Sequence, residues 1–158
     1  LSGADAGLVT ATHLTIAEGD LGAVGTPIAV NTTALQQLLE AGFLPCIAPI
    51  CISESGDLLN VNADHVAQAV AVALEAEQLI FLTNVPAVSI NTTSIAYITP
   101  DEIETAIANG DITGGMIPKT RAATAAIAAG VQSVVITNLD GLAAWGRGDV
   151  AGTTIRKA

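Results

Sequence analysis

The sequence predicts an α/β fold in which a mostly parallel sheet is sandwiched by helices. Short apolar runs typical of strands covered on both faces alternate with segments whose apolar residues recur at helical spacing. The connections between these segments are short and carry glycine, asparagine or proline. The length of 158 residues fits one compact domain with a single core.

In the first part of the chain, strands are predicted over residues 8–14 and, more weakly, 23–30. A helix should follow the capping sequence Asn31-Thr32-Thr33 and end at Gly42. The uncharged segment 43–51 then predicts a buried strand. A turn around Glu54-Ser55-Gly56-Asp57 should connect it to residues 58–61 as a hairpin.

The rest of the chain alternates more regularly between helix and strand. Asn62 is a natural N-cap, and Thr99 with Pro100 and Glu102 forms the best boundary signal in the sequence, a capping box. The predicted elements are helices at 63–75, 100–109 and 116–129, and strands at 78–82 and 131–137.

Charge and composition exclude several classes of function. Fifteen acidic against five basic side chains give a formal charge of -10, which repels phosphate backbones and anionic lipids. Aromatic residues make up only 3% of the chain, too few for the stacking platforms of a single-strand or RNA reader. A nucleic-acid or membrane-surface binder is therefore disfavoured, and any phosphate must be held locally.

Metal and disulfide chemistry find little support in the residue pattern. Cys46 and Cys51 lie in an apolar segment and are expected to be two buried thiols in a reducing compartment. His13 and His65 have no third ligand or adjacent nucleophile pattern, so neither a zinc site nor a hydrolytic triad is predicted. No segment predicts a membrane span, and the first residues, which lack methionine and an export signal, look like a cut.

Lys119 is the first candidate for chemistry, because the chain has so few basic residues. It follows Gly114-Gly115-Met116-Ile117-Pro118, where glycines allow close approach and the start of a helix favours a bound anion. The simpler interpretation is a solvent-exposed lysine after an ordinary glycine loop. The motif alone, which is not a Walker loop, favours that simpler interpretation.

Asn60, Asn62 and Asp64 are the second group of candidates. They converge at a strand-to-helix junction, where open α/β sheets place their ligands. Helix capping explains Asn62, and the helix dipole explains Asp64 equally well. Helix capping does not explain the presence of Asn60.

Six segments, taken in order, resemble the C-terminal half of the acetylglutamate kinases, within the amino-acid kinase family. The segments are LSGADAGL, LLEAGFLPCIAPI, NVNAD, LTNVPAV, GGMIPK and GTTI. The resemblance implies a cytoplasmic enzyme of arginine biosynthesis. It would transfer the γ-phosphoryl of ATP, bound with Mg²⁺, to the side-chain carboxylate of N-acetyl-L-glutamate.

The resemblance also implies roles for individual residues. Lys119 would stabilise the transferring phosphoryl group, with Asp64 orienting it, and Asn60 and Asn62 would bind the substrate. The nucleotide would be bordered by Thr83, Asn84, Val85, Ala87, Gly114, Gly115 and Met116. Residues 1–158 would form the nucleotide-binding lobe, without the family's N-terminal half, so the chain alone should be inactive. The full-length protein would be a homo-oligomer.

Two alternatives stay open at this point. The related kinase that acts on aminoadipate has the same motifs, because substrate preference lies largely in the missing half. A non-catalytic module of the same fold, which binds a nucleotide or anion or only assembles, is the other. Asn84 and Ala87 stand where family members usually have aspartate and glycine, which favours the second alternative. Arginine feedback is doubtful, because residues 138–152 lack the effector-binding pattern.

Overall fold

The architecture is that of a computed structural model, which describes residues 1–17, 19–145, 147, 149 and 151–157. The chain divides into two compact units, Leu1–Leu74 and Glu75–Ala158, where the sequence analysis expects a single core. Each unit contains strands and helices, which confirms the α/β class. Among the described residues, no helix is long and apolar enough to cross a membrane.

The strands of the first unit close into a small barrel in the order β1-β2-β4-β3. Their bounds are β1 (Val9–Ile16), β2 (Gly19–Val30), β3 (Ile50–Ile52) and β4 (Leu58–Val61). β1 and β2 form an antiparallel hairpin longer than the two strands predicted. Gly25 is required inside it, because a Cβ there would lie 2.9 Å from the Leu59 side chain. The pairs β1–β3 and β2–β4 are parallel, so this sheet is mixed.

Two helices of the first unit begin at the predicted caps. The Asn31 side chain accepts a hydrogen bond from the Ala34 N–H (3.1 Å) at the start of α1 (Thr32–Glu40). Asn62 caps α2 (Ala63–Ala73). Both helices contribute to one apolar core, which contains Leu8, Val9, Ala11, Leu35, Cys51, Leu59, Val61 and Val66.

The strand predicted over residues 43–51 is largely wrong. Only the short β3 forms, preceded by a single bridge between Ala48 and Ser2. A strand requires a neighbour to pair with, and in the described residues only this bridge pairs with residues 43–49. The expectation of two buried thiols is half correct, since Cys51 is buried and Cys46 is exposed.

The second unit contains a four-stranded sheet in the order β5-β9-β10-β8. The pairs β5–β9 and β10–β8 are parallel and the pair β9–β10 is antiparallel, so two of the three pairs have the parallel arrangement that the sequence predicts. The elements are β5 (Gln78–Leu82), the hairpin β6 (Ser89–Ile90) and β7 (Thr93–Ser94), β8 (Tyr97–Ile98), α3 (Pro100–Ala108), α4 (Met116–Ala128), β9 (Ser133–Thr137), α5 (Leu139–Trp145) and β10 (Thr153–Ile155).

The capping box at the start of α3 forms as predicted. The Thr99 N–H donates to the Glu102 carboxylate (2.8 Å), and the Glu102 N–H donates to the Thr99 hydroxyl (3.3 Å). The bonds from Thr99 hold the pKa of the Glu102 carboxyl below its usual value. The helices pack on a core whose buried members include Phe81, Ile98, Ile103, Ala123, Ile127, Val134, Ile136 and Ile155.

Two glycines with nearly the same positive φ distinguish the cost of backbone strain from the cost of a steric clash. Gly130 has φ +114° and a Cβ there would meet nothing within 4 Å, whereas Gly152 has φ +112° and a Cβ there would lie 2.6 Å from the Ile136 carbonyl oxygen. Gly130→Ala should lower the free energy of unfolding by about 1 kcal/mol through backbone strain. Gly152→Ala should cost about 1–3 kcal/mol more, because the sheet must move. Denaturant titration measures both, and equal losses would contradict this account.

Candidate functional site

The carboxyl ends of two parallel strands define the site in the second unit. β5 and β9 pair in register from Gln78 with Ser133 to Leu82 with Thr137. The Thr83 N–H donates to the Thr137 carbonyl oxygen (2.9 Å), which extends the pairing one residue beyond β5. The loops that follow the two strands therefore leave the same edge of the sheet, where α/β folds bind ligands.

A cavity of about 520 Å³ opens at this edge. Its polar groups include Asn138 and Asp140, at the start of α5, and the Asn138 side chain accepts a hydrogen bond from the Gly141 N–H (2.8 Å). Ala87 also lines it, whereas the other predicted nucleotide-binding residues do not. The described lining consists of Pro86, Ala87, Ser94, Ile95, Ala96, Asn138, Asp140, Gly141, Ala144, Ala151 and Gly152.

Asn138, Asp140 and Gly141 were missed by the sequence analysis. A repeated pattern could have found them, since an apolar run ends in Thr-Asn twice, at Thr83-Asn84 and at Thr137-Asn138. The two pairs end two neighbouring parallel strands. Polar residues at two such ends lie at the same crevice. Thr137-Asn138 was therefore as good a candidate for the site as Thr83-Asn84.

Two buried threonine side chains lie beneath the cavity at this edge of the sheet. Thr153 is fully buried, and its hydroxyl accepts from the Val88 N–H (2.8 Å) while donating to the Ile95 carbonyl oxygen (2.6 Å). This fixes the end of the loop that contains Ala87. The Thr137 hydroxyl is also buried, packs against Gly141 and Gly152, and makes no hydrogen bond within the described residues. The residues before Ala87 are more open, with Thr83 half-buried and Asn84 and Val85 exposed.

Lys119 lies in the first turn of α4, beside the same strand. Its ammonium group lies 5.0 Å from the centre of the Phe81 ring in β5. An aromatic face attracts a cation by about 0.5–2 kcal/mol, so Phe81 orients Lys119 without neutralising its charge. The lysine is half-buried, so it is not the freely solvated side chain of the simpler interpretation.

The start of α4 leaves room above its glycines. Gly114 has φ +56°, and at both Gly114 and Gly115 an added Cβ would meet nothing within 4 Å. The N–H groups of Met116 and Ile117 donate to the carbonyl oxygens of Thr113 and Gly114 at 3.2 Å, and Pro118 has no N–H. The sequence analysis expects helix-start amides that point outward. Two of those amides are bonded internally, which leaves the lysine as the main positive group of this turn.

Asn60, Asn62 and Asp64 lie in the first unit. Asn62 accepts a hydrogen bond from the Asp64 N–H (2.8 Å), which is the capping role that the simpler interpretation assigned to it. Asn60 is exposed on β4, opposite Val24 and Ile50. Because Asp64 and Lys119 belong to different units, their pairing stays a prediction.

Metal-ligating side chains do not cluster among the described residues, in which no group of three or more His, Cys, Asp or Glu could hold an ion. Both histidines are exposed. Mg²⁺ that arrives with a nucleotide is a separate case, because it keeps several waters and needs only one or two carboxylates besides the phosphates.

Residues 2–138 match the family model described as "Amino acid kinase family". The chain belongs to the amino acid kinase family. Acetylglutamate kinase from Roseiflexus sp. (strain RS-1) is 49% identical over 142 residues, which are 90% of this chain and 54% of that protein. The chain thus spans about half the length of the curated relatives it matches.

Two solved structures of amino acid kinase fold extend the comparison. The crystal structure of smu.665 from Streptococcus mutans UA159 superimposes with a TM-score of 0.84 and 37% identity, covering 96% of this chain and 58% of that one. N-acetylglutamate synthase from Neisseria gonorrhoeae, complexed with coenzyme A and L-arginine, gives 0.86 and 27%, covering 100% of this chain and 38% of that one. The fold of this chain therefore recurs in proteins with different names.

The two asparagines can be separated by stability. Asn62→Ala should lower the free energy of unfolding by about 1 kcal/mol, because α2 loses its cap. Asn60→Ala should change it by less than about 0.5 kcal/mol, since the side chain is exposed. Denaturant titration measures both, with Asn62→Asp as the control that keeps a capping oxygen. If Asn60→Ala were the more destabilising change, Asn60 would have a structural task and its assignment to substrate would lose its basis.

Proposed function

We propose that this chain is the ATP-side part of a kinase that phosphorylates the side-chain carboxylate of N-acetyl-L-glutamate. The observation that carries the proposal is the 49% identity to an acetylglutamate kinase over 90% of the chain. That span includes Lys119, which follows a glycine turn in a chain with only five Lys and Arg residues. The full-length enzyme is proposed to be a cytoplasmic homo-oligomer of arginine biosynthesis.

The reaction needs positioning and positive charge. A substrate carboxylate oxygen attacks the γ-phosphorus of ATP in line, the bond to the β-phosphate oxygen breaks, and an acyl phosphate and ADP are formed. The attacking carboxylate is already ionised at neutral pH, so no general base is needed. What lowers the barrier is a fixed cation near the charge that moves between the two oxygens.

Lys119 is proposed as that cation. Its stacking over the buried Phe81 ring limits where the ammonium group can go, which favours preorganisation. Because the chain carries a net charge of -10, the surface as a whole does not attract phosphate, and this local cation has to do so. Asp64 is proposed to orient Lys119.

The nucleotide is proposed to lie along the carboxyl edge of β5 and the start of α4. Thr83, Asn84, Val85 and Ala87 follow β5, and the open space above Gly114 and Gly115 allows close approach to Met116. Mg²⁺, bound with the phosphates, would supply further neutralisation of their charge. Asn60, exposed on β4, is proposed to bind the substrate α-carboxylate, with Asn62 beside it.

A non-catalytic module is the second candidate. Asn84 and Ala87 replace residues that the family usually has in the nucleotide loop, and an N-acetylglutamate synthase has the same fold with a TM-score of 0.86. The fold alone therefore does not require kinase activity. Calorimetry with MgATP tests the nucleotide site: binding that Lys119→Ala abolishes supports a retained nucleotide site, and a stable chain that binds no nucleotide favours an assembly role.

Activity is expected when the remaining half of the enzyme is supplied. With the N-terminal half of the Roseiflexus acetylglutamate kinase joined to this chain, the fusion should form acyl phosphate, detected as a hydroxamate. Lys119→Ala should lower kcat on the order of 100-fold or more, as expected for the loss of one transition-state charge contact.

The control lies on the same helix. Arg121 is 59% exposed and lies 3.9 Å from Glu104, so its charge serves a weak surface ion pair. Arg121→Ala should therefore leave kcat and KM unchanged. Equal rates for the Lys119→Ala fusion and the unchanged fusion would refute the role of Lys119, and a fall in both variants would indicate a general effect on α4.

A further inference from the structure

The GTTI segment, residues 152–155, is a part of the family resemblance to which the proposed function assigns no role. It contains β10, whose first residue, Thr153, is fully buried. Burying a hydroxyl away from water costs free energy unless the hydroxyl is hydrogen-bonded. The partners of the Thr153 hydroxyl therefore indicate what this residue holds in place.

The Thr153 hydroxyl lies at the base of the β6–β7 hairpin. The register of the hairpin, which pairs Ser89 with Ser94, makes Val88 and Ile95 the next pair toward its base. The Ile95 N–H donates to the Val88 carbonyl oxygen (2.9 Å), so this is a hydrogen-bonded pair. Such a pair in an antiparallel ladder normally exchanges two backbone bonds.

The second bond of this pair is replaced by a bridge through Thr153. The Val88 N–H donates to the threonine hydroxyl (2.8 Å), and the hydroxyl donates to the Ile95 carbonyl oxygen (2.6 Å). Val88 is only 1% exposed, so its amide depends on this buried acceptor. One side chain of β10 thus joins both strands at the base of the hairpin.

The same bridge fixes one end of the loop that is proposed to border the nucleotide. At the other end, the Thr83 N–H donates to the Thr137 carbonyl oxygen (2.9 Å). Within the part of the chain that the structure describes, residues 84–87 between these anchors donate to no backbone oxygen. The position of this loop therefore depends on one backbone bond at its start and on one side-chain hydroxyl at its end.

We propose that Thr153 is a positioning residue for nucleotide binding, whose hydroxyl holds the loop 84–87 in the conformation that binds MgATP. Because Thr153 is fully buried, it acts through Val88 and not by contact with the nucleotide. This inference rests on the proposed function, since it concerns the affinity of the same site. A displacement of about 1 Å can reduce the rate of an enzyme about 100-fold, so the loss of one anchor is large enough to measure.

Three variants of the chain separate the hydroxyl from the rest of the side chain. Thr153→Val keeps the shape of the side chain and removes the hydroxyl, whereas Thr153→Ser keeps a hydroxyl. Thr154→Val makes the same chemical change at the next position. Thr154 is half-buried on the opposite face of β10, which makes it the matched control.

Amide hydrogen exchange measures the bridge in the absence of nucleotide. Thr153→Val should speed exchange across residues 83–90 about tenfold or more, because the Val88 amide loses its buried acceptor and the loop opens more often. The amides of α4 serve as an internal reference for global unfolding. Thr153→Ser and Thr154→Val should exchange at the rates of the unchanged chain.

Calorimetry with MgATP measures the consequence for the site. Thr153→Val should raise the dissociation constant about tenfold, because the loop is no longer held in the binding conformation. Thr153→Ser should restore most of the affinity, and Thr154→Val should leave it unchanged. In the fusion with the Roseiflexus N-terminal half, Thr153→Val should raise KM for ATP and leave KM for N-acetyl-L-glutamate unchanged. A general loss of folded protein would not produce that difference.

Four results would overturn the proposal. Equal exchange of residues 83–90 in Thr153→Val and in the unchanged chain would show that the hydroxyl does not hold the loop. Faster exchange with an unchanged dissociation constant would show that the loop does not determine nucleotide affinity. Equal losses in Thr154→Val would assign the effect to β10 as a whole. Absence of MgATP binding by the unchanged chain would refute the nucleotide site and with it the positioning role, and the exchange rates distinguish that failure from a failure of the bridge.

Discussion

The register of β5 on β9 is the constraint on which the candidate site depends. Five paired positions bring Leu82 opposite Thr137, and the Thr83 amide adds one more bond to the ladder. Parallel strands in register end at one edge, and residues that follow β5 and β9 line the cavity there. A slip by one residue would turn every side chain of β5 to the other face and move Phe81 away from Lys119. The pairing thus determines both the cavity and the position of the cation.

Small residues keep that edge tightly packed. Gly141 and Gly152 bring backbone against Thr137, where a Cβ would collide with its side chain. The Thr153 hydroxyl joins the amide of Val88 to the carbonyl oxygen of Ile95, so two loops share one buried partner. A buried hydroxyl with both partners rigidifies its surroundings. The Thr137 hydroxyl, without a hydrogen bond among the described residues, is the exception, and no physical account of it follows from them.

Local signals predicted the elements that local interactions stabilise. Asn31, Asn62 and Thr99 each cap a helix through their own side chains, and the sequence locates all three caps. β5 and β9 were predicted for a related reason, because a short apolar run predicts a covered strand wherever the neighbours are. β8 and β10 have two and three residues, too short for any periodicity, and they are strands because β8 pairs with β10 and β10 pairs with β9. The cavity residues after β9 were missed because the pairing of β9 with β5 is a tertiary contact that local sequence patterns do not specify.

The stretch 43–51 was wrong as a predicted strand for a different reason, and the error is informative. Its composition describes a strand with neighbours on both faces and edges, whereas in this chain only residues 50–52 are paired as a strand and Ala48 forms an isolated bridge. Burying one leucine or isoleucine side chain is worth about 1.5–3 kcal/mol, so a row left in solvent gives up a large part of what its sequence can contribute. The residue pattern predicts the environment that suits a segment, whereas the structure shows the environment in which the segment lies. In residues 43–51 the apolar composition predicts burial, whereas strand pairing depends on neighbours that composition does not specify. The same reasoning separates Asn60 from Asn62, since the cap explains Asn62 within the chain, whereas the exposed Asn60 side chain caps no helix of the described residues.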